Sequence, residues 1–164
     1  MKRINLDKDW MFYESEEGNS FVFEQRQGTP VDLPHDFIVG KPRRADAPGG
    51  AANGYFGNGQ GIYKKNLEVP EDWKGKTVLM DVDGAYQADI TRALRFDGRK
   101  NKLKLITQSR QPSSRWYSGG GLYRDVCLWM GNPIHVKPWD LFVTTPEVTE
   151  DYALIQVEAE LTGT

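Results

Sequence analysis

Short runs in which apolar and polar residues alternate dominate the chain, and they predict strands rather than helices. The clearest is Lys102-Leu103-Lys104-Leu105-Ile106-Thr107, which puts Lys102 and Lys104 on one face and Leu103 and Leu105 on the other. Comparable stretches are Ile4-Asn5-Leu6, Trp10-Met11-Phe12-Tyr13, Phe21-Val22-Phe23, Gly61 to Val69, Thr77 to Val82 and Tyr123 to Met130. Pro70 to Lys76 reads as a short helical turn closed by Gly75. One short helix is predicted where Asp89 can cap Ile90 to Leu94, with Ile90, Ala93 and Leu94 at i, i+3 and i+4. From Gly28 to Gly61 the pattern is lost among Pro30, Pro34, Pro42, Pro48 and many glycines. So long an irregular connection in a compact domain points to a job beyond connecting.

After Gly131-Asn132-Pro133 the texture changes. Ile134-His135-Val136, Leu141 to Thr145 and Tyr152 to Leu161 read as new strands, the last with Ile155, Val157, Ala159 and Leu161 on one face. We therefore read residues 1–132 as one β-domain and 133–164 as the truncated opening of a second.

Composition narrows the function classes. The chain has 164 residues, 38% of them hydrophobic and 12% aromatic, enough to build a core. Lysine and arginine number 21 against 23 acidic residues, a net charge of −2, so nucleic acid is not an expected partner. The cations around FDGRKNKLKL read as a solvated strand face. No apolar run approaches the length of a membrane span. The start, MKRINLDKDW, lacks the apolar stretch of a signal peptide, so a cytoplasmic location is expected, or a periplasmic or secreted one if Met1 is an artificial start. The single cysteine, Cys127, excludes an internal disulfide and reads as a small buried residue. With only His35 and His135 besides it, a His/Cys metal cluster is not expected.

No motif for autonomous chemistry is present: no GxSxG, no phosphate loop, no HExxH. Gly57 to Gly61 precedes a strand rather than a helix, so it is not a phosphate cradle. Asp125, beside Arg124, reads as one half of a structural ion pair.

Two segments carry a specific pattern. The first combines Leu33-Pro34-His35-Asp36-Phe37 with Gly59 to Lys65 and with Val69-Pro70-Glu71-Asp72-Trp73-Lys74-Gly75-Lys76. The second is Arg115-Trp116-Tyr117-Ser118-Gly119-Gly120-Gly121-Leu122-Tyr123-Arg124-Asp125-Val126 and the Ser109 to Ser114 stretch before it. In this order and spacing they resemble the N-terminal sugar-binding domain of glycoside hydrolase family 2, in its β-galactosidase-like form, over nearly the whole chain. The resemblance implies an all-β fold: a jelly-roll β-sandwich, followed by the first strands of an immunoglobulin-like β-sandwich over 133–164. Downstream it implies the rest of that domain and a (β/α)8 barrel. The family's paired glutamates lie on that barrel, about 5–5.5 Å apart in a retaining mechanism, so this chain alone is expected to hold no catalytic residue. No cofactor or metal is implied.

The resemblance also exposes a departure. Tyr86 reaches Asp89 through only Gln87 and Ala88, where the family pattern carries a further hairpin. Its absence would leave open sheet edges, through which copies of the chain could pair as a homo-oligomer.

The implied partner is a carbohydrate, a β-galactoside or related glycoside, at the rim of the barrel's pocket. Arg115, Trp116 and Tyr117 suit that role, because sugars stack their C–H faces on aromatic rings; packing against a neighbouring domain is the alternative. Asn53, Tyr55, Phe56 and Asn58 on the 49–61 loop could line the same rim, or the loop could be an ordered connector. His35 and Asp36 are further candidates, or form a structural turn in which Asp36 accepts backbone N–H bonds. Two functions stay open: the non-catalytic portion of a β-glycosidase, or a free-standing carbohydrate-binding or interaction module.

Overall fold

The computed structural model describes residues 1–15, 27–117 and 119–163. The expected strand Phe21-Val22-Phe23 and residue Ser118 lie outside the described residues. Twelve strands are defined: β1 (Lys2–Asn5), β2 (Trp10–Ser15), β3 (Thr29–Val31), β4 (His35–Asp36), β5 (Gly59–Leu67), β6 (Thr77–Val82), β7 (Tyr86–Asp89), β8 (Asn101–Ser109), β9 (Gly121–Leu122), β10 (Val126–Gly131), β11 (His135–Val148) and β12 (Ala153–Thr162).

Eight of them make two four-stranded antiparallel sheets, ordered β1-β10-β6-β7 and β3-β2-β5-β8. Period-2 alternation turns one face of each sheet inward, and both faces feed one core. Trp10, Phe12, Tyr63 and Leu67 come from one sheet; Val78, Met80, Val82, Val126 and Leu128 come from the other. Trp10 is fully buried, its indole donates to the Leu6 carbonyl at 2.7 Å, and its ring meets Tyr63 edge-on. The all-β sandwich expected of the sequence is the fold observed.

Four local expectations are corrected. The 28–61 segment is not wholly irregular: it holds β3, β4 and a 3-10 turn over Gly50–Asn53, each too short for alternation to register. The predicted helix after Asp89 is a single 3-10 turn, Thr91–Ala93. Asp89 does accept the Thr91 N–H, but the Thr91 hydroxyl is tied to the backbone of Val78, which pins the segment to β6 and stops propagation. Asp125 pairs with Arg3 at 2.5 Å rather than with its neighbour Arg124. The strands expected at 134–136 and 141–145 are one strand, β11, with register irregularities and a left-handed Trp139 (φ +73°) between them.

The Tyr86–Asp89 junction is β7, and just before it the chain closes a tight hairpin with β6. Asp83 and Gly84 are both left-handed and Ala85 N donates to the Val82 carbonyl, a type I′ arrangement whose twist suits adjacent strands. β7 is consequently the outer strand of its sheet, with Tyr86 63% exposed. Beyond the sandwich, β11 and β12 form a separate two-stranded sheet. Its register pairs Val143 with Val157 and Leu141 with Ala159, an apolar stripe that stays exposed.

Candidate functional site

The loop between β8 and β9 is held from two sides. On one side stands Asp36, at the end of β4. Its Oδ1 accepts the N–H groups of Ile38 (2.8 Å), Val39 (3.2 Å) and Gly120 (3.2 Å), and its Oδ2 accepts the Tyr117 hydroxyl at 2.7 Å. An aspartate following Pro34-His35 suits this, because its short carboxylate reaches backbone donors two and three residues on. β4 and β9 then pair over two residues, His35 with Leu122 and Asp36 with Gly121.

Asn53 holds the other side. Fully buried at the end of its 3-10 turn, it donates to the carbonyls of Ser113 (2.9 Å) and Arg115 (2.5 Å) and accepts from Ser113 N at 3.1 Å. Asn58 accepts Gln111 N at 2.7 Å. The Tyr117 ring packs on Phe56 at 4.8 Å, and the Arg43 guanidinium covers Phe56 at 5.3 Å. Phe56 stands on the 49–61 loop that the sequence singles out, whereas Arg43 was not legible as a site residue, since it stands in no motif.

The seven candidate residues thus divide. His35, Asp36, Asn53 and Asn58 spend their polar atoms on the chain itself, and Tyr117 spends its hydroxyl on Asp36. Arg115 is exposed, and Trp116 is 60% exposed with its indole against Gly54, where a Cβ would stand 3.1 Å from the ring. Tyr55, next to Gly54, is exposed as well. The outcome is a cation and aromatic surfaces presented by a loop whose backbone is locked. That can bind; among the described residues no acid–base pair accompanies it.

Electrostatics follow from burial. The Tyr117 phenol is pushed up by burial and by the Asp36 carboxylate, and burial pushes the Tyr63 phenol up. The His35 imidazole, 2.9 Å from the Tyr63 hydroxyl, is held below its ordinary 6.5 by burial, with Asp36 acting the other way. Since the unfolded imidazole takes up a proton more readily than the folded one, His35 costs no stability above about pH 6.5 and costs progressively more as the pH falls towards the lower folded value. Urea midpoints between roughly pH 8 and pH 5 should fall faster for the parent than for His35→Gln, which cannot titrate there. Parallel pH profiles would show that His35 titrates alike in both states.

Fold and site together define an antiparallel β-sandwich module that displays an Arg–Trp loop. The chain is similar to parts of several larger proteins. β-Galactosidase BoGH2A of Bacteroides ovatus is 28% identical over 184 positions, covering 98% of this chain and 22% of its own length. A provisionally named β-glucuronidase of Formosa agariphila is 25% identical over 183 positions, covering 97% of the chain and 18% of its own length. The crystal structure of a glycosyl hydrolase family 2 member from Bacteroides cellulosilyticus superposes with a TM-score of 0.85 at 30% identity, over 98% of this chain and 24% of that one. No family model matches the chain. Its homologues are family 2 glycoside hydrolases, and the chain spans only about a fifth to a quarter of their length. The first two alignments exceed the 164 residues of the chain by 20 and 19 positions, so those relatives carry residues that the chain lacks.

Proposed function

We propose that the chain is the non-catalytic, N-terminal sugar-binding and scaffolding portion of a β-galactosidase-like family 2 glycoside hydrolase. In that reading residues 1–132 are the sandwich domain, and 133–164 begin an immunoglobulin-like domain whose remaining strands would cover the apolar stripe of β11 and β12. The observation that carries the reading is the Arg115–Trp116 pair, left exposed on a backbone clamped by Asn53 and Asp36. Binding sites are more selective when their contacts are fixed in advance, because less ordering entropy is lost on association. At the rim of a barrel's pocket, Trp116 would stack on the apolar face of a glycoside and Arg115 would donate to its hydroxyls.

The test uses the full-length enzyme that contains this segment. Arg115→Ala should lower kcat/KM for its glycoside by about tenfold or more, the loss expected from a charge-assisted hydrogen bond of about 1.5–3 kcal/mol, while Tm stays within a few degrees. A fall in Tm with normal kinetics of the folded fraction would assign the loop to domain docking instead. No change in either would remove it from the site.

A further inference from the structure

A second surface, on the outer face of the β3-β2-β5-β8 sheet, has a composition that the fold does not require. A groove of about 1350 Å³ opens there and continues to Leu6 and the buried Trp73, with Met11 and Tyr13 in its walls, and its lysines, Lys64, Lys102 and Lys104 among them, outnumber its two carboxylates, Asp9 and Glu68. Lys64 on β5 and Lys104 on β8 are direct register partners, and Lys102 lies two residues along the same face. Like charges directly opposed across an antiparallel pair repel and destabilise it. Among the described residues Lys100, Lys102 and Lys104 make no ion pair, and the Lys64 ammonium sits over the Tyr13 ring at 4.9 Å. On a chain with a net charge of −2, this is a local concentration of positive charge that folding alone would disfavour.

We propose that this groove binds an acidic polysaccharide, with carboxylates against Lys64, Lys102 and Lys104 and the apolar face of a sugar against the exposed Met11. The chemistry favours that occupant over nucleic acid. One aromatic face is already covered by Lys64, which leaves no row of rings for successive bases. The site is separate from the Arg115 loop and does not depend on it.

Affinity electrophoresis and calorimetry of the 164-residue chain with polygalacturonate, an uncharged galactan and single-stranded poly-dT test the idea. Polygalacturonate should bind, and should bind more weakly as salt rises from about 50 to about 200 mM. The triple variant Lys64→Ser/Lys102→Ser/Lys104→Ser should lose about tenfold or more in affinity, whereas Lys76→Ser/Lys137→Ser, altered elsewhere, should bind like the parent. Thermal melts check folding; the triple variant should melt no lower than the parent, because repulsion is removed. Absent binding to polygalacturonate, equal or tighter binding of poly-dT or galactan, or an unchanged triple variant would each overturn the proposal. Arg115→Ala should bind polygalacturonate normally, which keeps this result independent of the glycosidase reading.

Discussion

Asp36→Ala is expected to lower the stability of the sandwich by about 2–4 kcal/mol and to loosen the Arg115–Trp116 loop at the same time. The carboxylate gathers three backbone N–H groups and the Tyr117 hydroxyl, and alanine leaves all four without their acceptor. Charge-assisted hydrogen bonds contribute about 1.5–3 kcal/mol each, but water can reach the exposed Val39 N–H, so the sum is discounted. For a domain of this size the melting temperature should drop by about 5–12 °C. Asp36→Asn separates charge from shape. Its amide oxygen can still serve the backbone donors while the NH2 group faces Tyr117, whose hydroxyl must turn round to accept. About half the loss is expected. Urea unfolding measures the stability, and trypsin cleavage after Arg115, accelerated in Asp36→Ala, reports the loop. Unchanged midpoints and cleavage rates would show that Asp36 is not the clamp.

Gly121→Ala is expected to be at least as damaging, about 2–5 kcal/mol, although it adds a single methyl group. Gly121 has φ +144°, which L side chains rarely adopt, and its Cβ would stand 2.1 Å from the His35 carbonyl oxygen and 2.7 Å from the Tyr63 hydroxyl. The first obstacle is backbone and cannot swing away, so the β4–β9 pairing must open. Overpacking and backbone strain each cost about 1–3 kcal/mol. With that ladder gone, Asp36 leaves its partners too, so the double variant Gly121→Ala/Asp36→Ala should lose much less than the sum of the single losses. Strict additivity in urea titrations would mean that the two act on separate structures.

Elements long enough to alternate were determined by local sequence. In β8 every other residue faces the core, and Leu103 and Leu105 turn inward while Lys102 and Lys104 turn out, because backbone geometry alone sets a period of two. The turn closed by Gly75 and the paired motifs around His35-Asp36 and Arg115-Trp116-Tyr117 were legible for the same reason: their residue types have meaning within a few positions.

What those candidate residues do was decided only by tertiary structure. Asp36 meets Tyr117 across 81 positions, and Asn53 meets Ser113 across 60. Asp125 passes over its neighbour for Arg3, which the pairing of β1 with β10 brings beside it. The predicted helix after Asp89 stops at one turn because Val78, on another strand, claims the Thr91 hydroxyl. Even the opposed lysines of β5 and β8 become a shared charge only once the register sets Lys64 against Lys104. A polar side chain is equally suited to a ligand or to the protein's own backbone, and the nearest unsatisfied donor or acceptor in three dimensions settles which it serves.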